Sequence, residues 1–237
     1  PYALQQCLIQ CSDYKLYGAI DPLLKRNVWI HFQPQDADLL LCSQHRIGRP
    51  TRLRWLQAGI QQGMRWDAFE GSTLNTLTSI LRTGRSIDWE IARIVLADLS
   101  DELSIAESEG NLPEILEVSQ ILISPSGRSK LLDFRLPQST IDFSGIRTYK
   151  GELRASHLMC DVANIIKNAN IWPRHAEDFC RELNARRESR ECSLWGSKTL
   201  KSLIDRPASM RWDDRLGLIC MAIASGGYLY PFANLVF

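Results

Sequence analysis

The stretch Ser119-Gln-Ile-Leu-Ile-Ser-Pro-Ser-Gly-Arg-Ser-Lys-Leu-Leu-Asp133-Phe134 constrains the fold of this chain more than any other. Two short apolar runs, Ile121–Ile123 and Leu131–Leu132, flank a Ser-Pro-Ser-Gly turn. Proline and glycine punctuate the backbone there, so the segment predicts a strand, a turn and a second strand that end on an acid, Asp133. Upstream, Asp88 to Ala106 is the clearest helix. Asp88 can cap it, and Trp89, Ala92, Leu96, Leu99, Leu103 and Ala106 recur at helical spacing. Gly110 leads out of that helix into the loop before the hairpin.

Nearer the start, Lys15 to Phe32 reads as two strands around a turn. Val28, Ile30 and Phe32 alternate as in a half-buried strand, and Asp21-Pro22 opens the turn. Asp36 to Arg46 fits a short helix, and further strands are predicted at Arg52–Leu56 and Met64–Ala68. Strand and helix segments are both present along the chain, the content of an α+β fold.

Taken in order, these segments resemble the eukaryotic-like Ser/Thr protein kinase family. There a catalytic loop H-R-D-x-K-P-x-N is followed by strand, turn and strand, and then by the magnesium-binding D-F-G. Here Pro113-Glu114-Ile115 stands for H-R-D, Gln120 for the metal-binding Asn, and Asp133-Phe134-Arg135 for D-F-G. Val28-Trp29-Ile30-His31 is similar to the strand V-A-I-K, and Phe69-Glu70-Gly71-Ser72-Thr73-Leu74 resembles the hinge. Glu152 matches the Glu of A-P-E and Asp161 the Asp of the next helix, at a short spacing. Asp205-Arg206-Pro207-Ala208-Ser209 resembles the R-P-S/T stretch near the end of such domains. The resemblance covers about residues 8–212. It implies a bilobal kinase-like fold with a small β-rich N-lobe at 1–69 and a larger helical C-lobe at 70–214.

The same resemblance implies that the chemistry is damaged. Phosphoryl transfer depends on positioning and charge neutralisation. Leu8–Tyr17 contains no glycine with which backbone N–H groups could approach phosphates. His31 replaces the lysine that holds them and is mostly neutral at pH 7. Ser43 stands where that lysine's glutamate partner is expected. Ile115 cannot accept a proton, and Gln120 reaches one methylene too far for strict magnesium geometry. Asp133 alone remains a good metal ligand. Arg135, in place of the glycine, is expected to set a guanidinium beside Asp133 where magnesium would sit.

Charge and cysteine usage narrow the classes further. At a net charge of +1, with basic residues scattered among acids, nothing points to a nucleic-acid partner. The seven cysteines show no disulfide or zinc spacing beyond the close pair Cys7 and Cys11, and predict free, mostly buried thiols. Trp29, Trp55, Trp66 and Trp89 are expected in the core or between the lobes. The chain starts at Pro1 without a signal peptide, which predicts a fragment of a longer protein. From Leu216 to Phe237 no residue is charged, long enough for a transmembrane helix at about 20 residues, with a buried final helix as the alternative. Arg211 and Arg215 just before it would keep the domain cytoplasmic.

The resemblance therefore implies a degenerate, bacterial kinase-like member: a pseudokinase serving as a signalling or scaffolding module for a signalling protein partner. It would be anchored to the bacterial inner membrane through 216–237 and require no cofactor. The alternative is a divergent Ser/Thr kinase that still binds ATP and magnesium, with Asp133, Gln120 and His31 as its contacts. A third reading is a nucleotide sensor whose hinge backbone near Asp67–Glu70 holds adenine without turnover.

Overall fold

Alternating side chains from Lys15 onward build an antiparallel sheet whose two faces bury different residues. The computed structural model describes residues 2–11, 14–35, 47–71, 75–124, 126–136, 147–151, 153–168 and 172–189, all within the unit Pro1–Asp205. The expected helix at 36–46, with Ser43, lies outside the described residues, as do Glu152, 205–209 and the apolar tail 216–237. No helix among the described residues is long and apolar enough to cross a membrane.

Strands β1 (Ala3–Gln10), β2 (Lys15–Asp21), β3 (Arg26–Pro34), β4 (Trp55–Gln61) and β5 (Met64–Glu70) form a five-stranded sheet in the order β1-β2-β3-β5-β4. Ala19, Val28, Ile30 and Ala68 are buried on one face beneath Tyr2, Tyr17, Phe32, Leu56 and Trp66. Leu16, Trp29, Trp55 and Phe69 belong to the other face, which meets the rest of the chain. Cys160 and Cys180 are buried, but Cys7 is exposed and Cys11 half-buried. β1 is an edge strand with almost every residue exposed, so the expectation of mostly buried thiols fails there.

The strand expected at Arg52–Leu56 is displaced, and only from Trp55 does the chain join the sheet. Thr51–Leu53 pairs instead with the later hairpin, through Leu131 N–H to the Thr51 carbonyl (2.9 Å) and Leu53 N–H to the Leu131 carbonyl (3.0 Å). The buried Arg52 side chain explains the diversion, because its partners lie in the helical part.

At the end of β5 the chain passes so close to the β2–β3 hairpin that only glycine fits. A Cβ on Gly71 would lie 2.4 Å from the Asn27 carbonyl carbon and 2.5 Å from the Val28 nitrogen. Gly71→Ala is therefore expected to cost about 1–3 kcal/mol, the usual range for overpacking against backbone. A denaturant midpoint unchanged by the substitution would show that the hairpin yields.

Beyond Gly71 a short strand β6 (Asn75–Thr76) leads into helix α1 (Leu77–Arg82), and helix α2 follows at Trp89–Ser108. Asp88 caps α2 as expected, its Oδ1 accepting the Ile91 N–H at 3.0 Å. Gly110, at φ +66°, ends the helix region, and Asn111 N–H returns to the Ala106 carbonyl. Strands β7 (Ile121–Ile123) and β8 (Ser129–Leu131) form the expected hairpin, and β7 pairs with β6. Helices α3 (Arg154–Asn168) and α4 (Arg174–Ser189) complete a core with α2, in which Trp89 meets Trp172 and Phe179. Asp161 is half-buried on α3.

Candidate functional site

Asp133 closely follows β8, so the hairpin fixes its place. Its side chain is 1% exposed, and Arg52 grips its Oδ1 through Nε (3.0 Å) and Nη2 (2.8 Å). Arg52 is itself fully buried. Its Nη1 donates to Glu102 (3.0 Å) and its Nη2 to the Asn111 carbonyl (2.8 Å). Glu102, fully buried on α2, also takes a two-pronged contact from Arg49 (3.0 and 2.8 Å) and the Thr51 hydroxyl (2.7 Å). Arg49 further binds Glu109 and Asn111. Two guanidiniums thus face the carboxylates of Glu102, Asp133 and Glu109. Burial pushes the Asp133 carboxyl above its usual range, and the Arg52 charge beside it works the other way.

The cation beside Asp133 is therefore Arg52, and not Arg135 as the sequence suggested. Arg135 turns away to Glu117, 3.4 Å from its Oε1. Glu117 is buried in the loop before β7. Its Oε2 accepts the Ser119 hydroxyl at 3.0 Å.

Gln120 is 1% exposed and committed to its own loop. Its Oε1 accepts the Glu117 N–H at 2.7 Å, and its Nε2 donates to the Leu132 carbonyl at 3.2 Å. Ile115 is half-buried in the same loop. Arg154 braces this loop from α3, donating to the Pro113 carbonyl at 2.8 Å.

His31 lies on the sheet face above, paired in register with Asp67 of β5. Its imidazole stacks on Phe134 at 4.5 Å with the planes 17° apart. Tyr14 leans on His31 from the β1–β2 turn (5.1 Å), and Phe134 continues to Phe69 (4.8 Å). These four rings form a continuous aromatic ladder. Leu16, Leu122, Leu132 and Trp29 pack into one apolar cluster with Phe69 and Phe134. These contacts tie β3 of the sheet to the β7–β8 hairpin and the residue after Asp133.

Burial lowers the His31 pKa to about 4 from 6.5, with Arg65 adding to the effect and Asp67 opposing it. The folded state holds His31 neutral while the unfolded chain protonates near 6.5, so its contribution to stability is present above that pH. It is lost as pH falls through about 4. The loss should reach about 3 kcal/mol, since each tenfold change in proton affinity is worth about 1.36 kcal/mol. Unfolding curves across this window should flatten in His31→Phe; equal pH slopes in both proteins would refute the assignment.

The described hinge residues are bonded within the fold. Glu70 N–H donates to the Arg54 carbonyl (2.9 Å) and Gly71 N–H to the Asn27 carbonyl (2.8 Å). Asp67, Ala68 and Phe69 are paired in the sheet with β3 and β4. Among the described residues no group of His, Cys, Asp and Glu is arranged to hold a metal ion. Among the described residues, the candidate metal ligand Asp133 is held by Arg52, and the N–H groups of Glu70 and Gly71 are bonded within the fold.

No protein-family model matches the chain, and no curated protein matches it. Among solved structures, Rad53 1-466 in complex with AMP-PNP is similar, at a TM-score of 0.55 and 12% identity. The match covers 87% of this chain and 61% of that one. The fold is protein kinase-like. At that identity the likeness speaks for the fold alone, and the chain spans less than two thirds of its structural relative.

The residues that organise the site, Arg49, Arg52 and Glu102, belong to no motif legible in the sequence. A signal was present all the same. Glu102 falls three residues after Leu99 on the apolar stripe of α2, where a carboxylate needs a buried cation.

Proposed function

We propose that this chain is a catalytically impaired kinase-like domain that acts as a signalling or scaffolding module for a signalling protein. The observation that carries this reading is the aromatic ladder Tyr14–His31–Phe134–Phe69, which ties the V-A-I-K-like strand to the residue next to Asp133. Arg52 on Asp133 supports it, because the guanidinium competes with magnesium for the carboxylate. In this reading the domain offers its surface to a partner rather than a cleft to a substrate.

Thermal unfolding with ATP or AMP-PNP, with and without magnesium, tests the reading. The melting temperature is expected to stay fixed in all conditions. A magnesium-dependent stabilisation of about 2.7 kcal/mol, as for ligand at a hundredfold excess over Kd, would overturn it. Phosphate transfer that disappears in Asp133→Ala would establish the divergent-kinase alternative.

A further inference from the structure

The turn between β2 and β3 exposes two leucines that its own geometry does not need. Leu23 is 89% exposed and Leu24 61%. The turn is held by other groups. Asp21 Oδ1 accepts the N–H groups of Leu23 (3.1 Å) and Leu24 (3.2 Å), and its Oδ2 accepts Arg26 Nε (3.2 Å). Pro22 fixes its own φ, and Lys25 takes a left-handed φ of 49°. None of these interactions uses a leucine side chain. The β4–β5 turn, by contrast, carries Gln62 and Gly63, and the β7–β8 turn carries Ser126 and Gly127.

We propose that this turn is a membrane-contact point, with Leu23 and Leu24 entering the headgroup–acyl boundary of an anionic bilayer and Lys25 meeting lipid phosphate. Three observations select a lipid surface. First, the apolar feature is a convex tip of two side chains, far below the roughly 800 Å² per partner of a stable protein interface. A bilayer accepts such a tip without a complementary pocket. Second, Asp21 is occupied by Arg26 and two amides, which leaves the exposed Lys25 as the cation next to the leucines. Third, Leu4, 51% exposed, lies opposite Ala19 on the neighbouring strand and extends the apolar edge from the same end of the sheet. The anchor is weak and reversible, as a single small apolar contact must be. It stands apart from the reading of the cleft and from the apolar stretch 216–237.

Co-sedimentation of the whole 237-residue chain with vesicles tests it. The probes are phosphatidylcholine vesicles with and without phosphatidylserine. Leu23→Ser/Leu24→Ser should weaken partitioning by about tenfold or more. Lys25→Ala should weaken it about fivefold on the serine-lipid vesicles alone. Melting temperatures of the double leucine variant should match the parent, since no fold contact is removed. A double variant that sediments like the parent would overturn the proposal by placing the contact elsewhere. A parent chain that leaves both vesicle types unbound would overturn it as well and assign the tip to a protein contact.

Discussion

Arg52→Leu should lower folding stability by about 3–5 kcal/mol, the range for breaking a buried ion pair from one side. The cost arises because the side chains of Arg52, Glu102 and Asp133 are at most 1% exposed. Removing the guanidinium takes the Arg52 charge away from Asp133, while Glu102 keeps Arg49. The Asn111 carbonyl loses the Arg52 donor as well. Denaturant unfolding of Arg52→Leu and Arg52→Leu/Asp133→Leu separates the contributions. The double variant should lose less than the single one, because the carboxylate that Arg52 pairs by salt bridge is removed with it, while Glu102 keeps Arg49. Equal losses would mean that Asp133 gains nothing from Arg52, and the account of the site would fall.

Phe134→Ala should cost a similar amount, about 3–5 kcal/mol, because it empties the middle of the ladder. Phe134 is 8% exposed and touches both His31 and Phe69, so no single neighbour can close the space. Water entering beside His31 would relieve the burial that depresses its pKa, so the acid sensitivity expected for His31 should shrink in the same variant. Phe134→Leu, which keeps most of the apolar volume, should lose much less. A Phe134→Ala protein as stable and as acid-sensitive as the parent would show that the ladder does not hold the sheet to the hairpin.

Local chemistry made the elements readable. Asp88 as a cap, the 3.6-residue stripe of α2, the Asp21-Pro22 turn and the Ser-Pro-Ser-Gly hairpin are short-range features. Each acts through hydrogen bonds or burial within a few residues of itself, and the structure has each in its place. The order of these segments was enough to suggest the kinase-like fold. The replacements His31, Gln120, Ile115 and Arg135 were equally plain as residue identities.

What those replacements do was settled only in three dimensions. Arg135 is two residues from Asp133, yet it reaches Glu117. The cation on Asp133 comes from Arg52, 81 residues earlier, because the 51–53 segment bridges to β8 rather than joining the sheet where it was expected. Proximity in the chain says little about pairing once both groups are buried. Desolvation then favours whichever partner the packing delivers. His31 read as a weak substitute for lysine. Packing made it a neutral ring in an aromatic stack, at a pKa of about 4 that no neighbouring residue in the sequence could have signalled. The amino-acid order determined which segments form and which residues stand at the positions resembling the family's motifs. Only the tertiary contacts decided that His31 and Phe134 stack and that Arg52 holds Asp133, because both depend on residues brought together from distant parts of the chain.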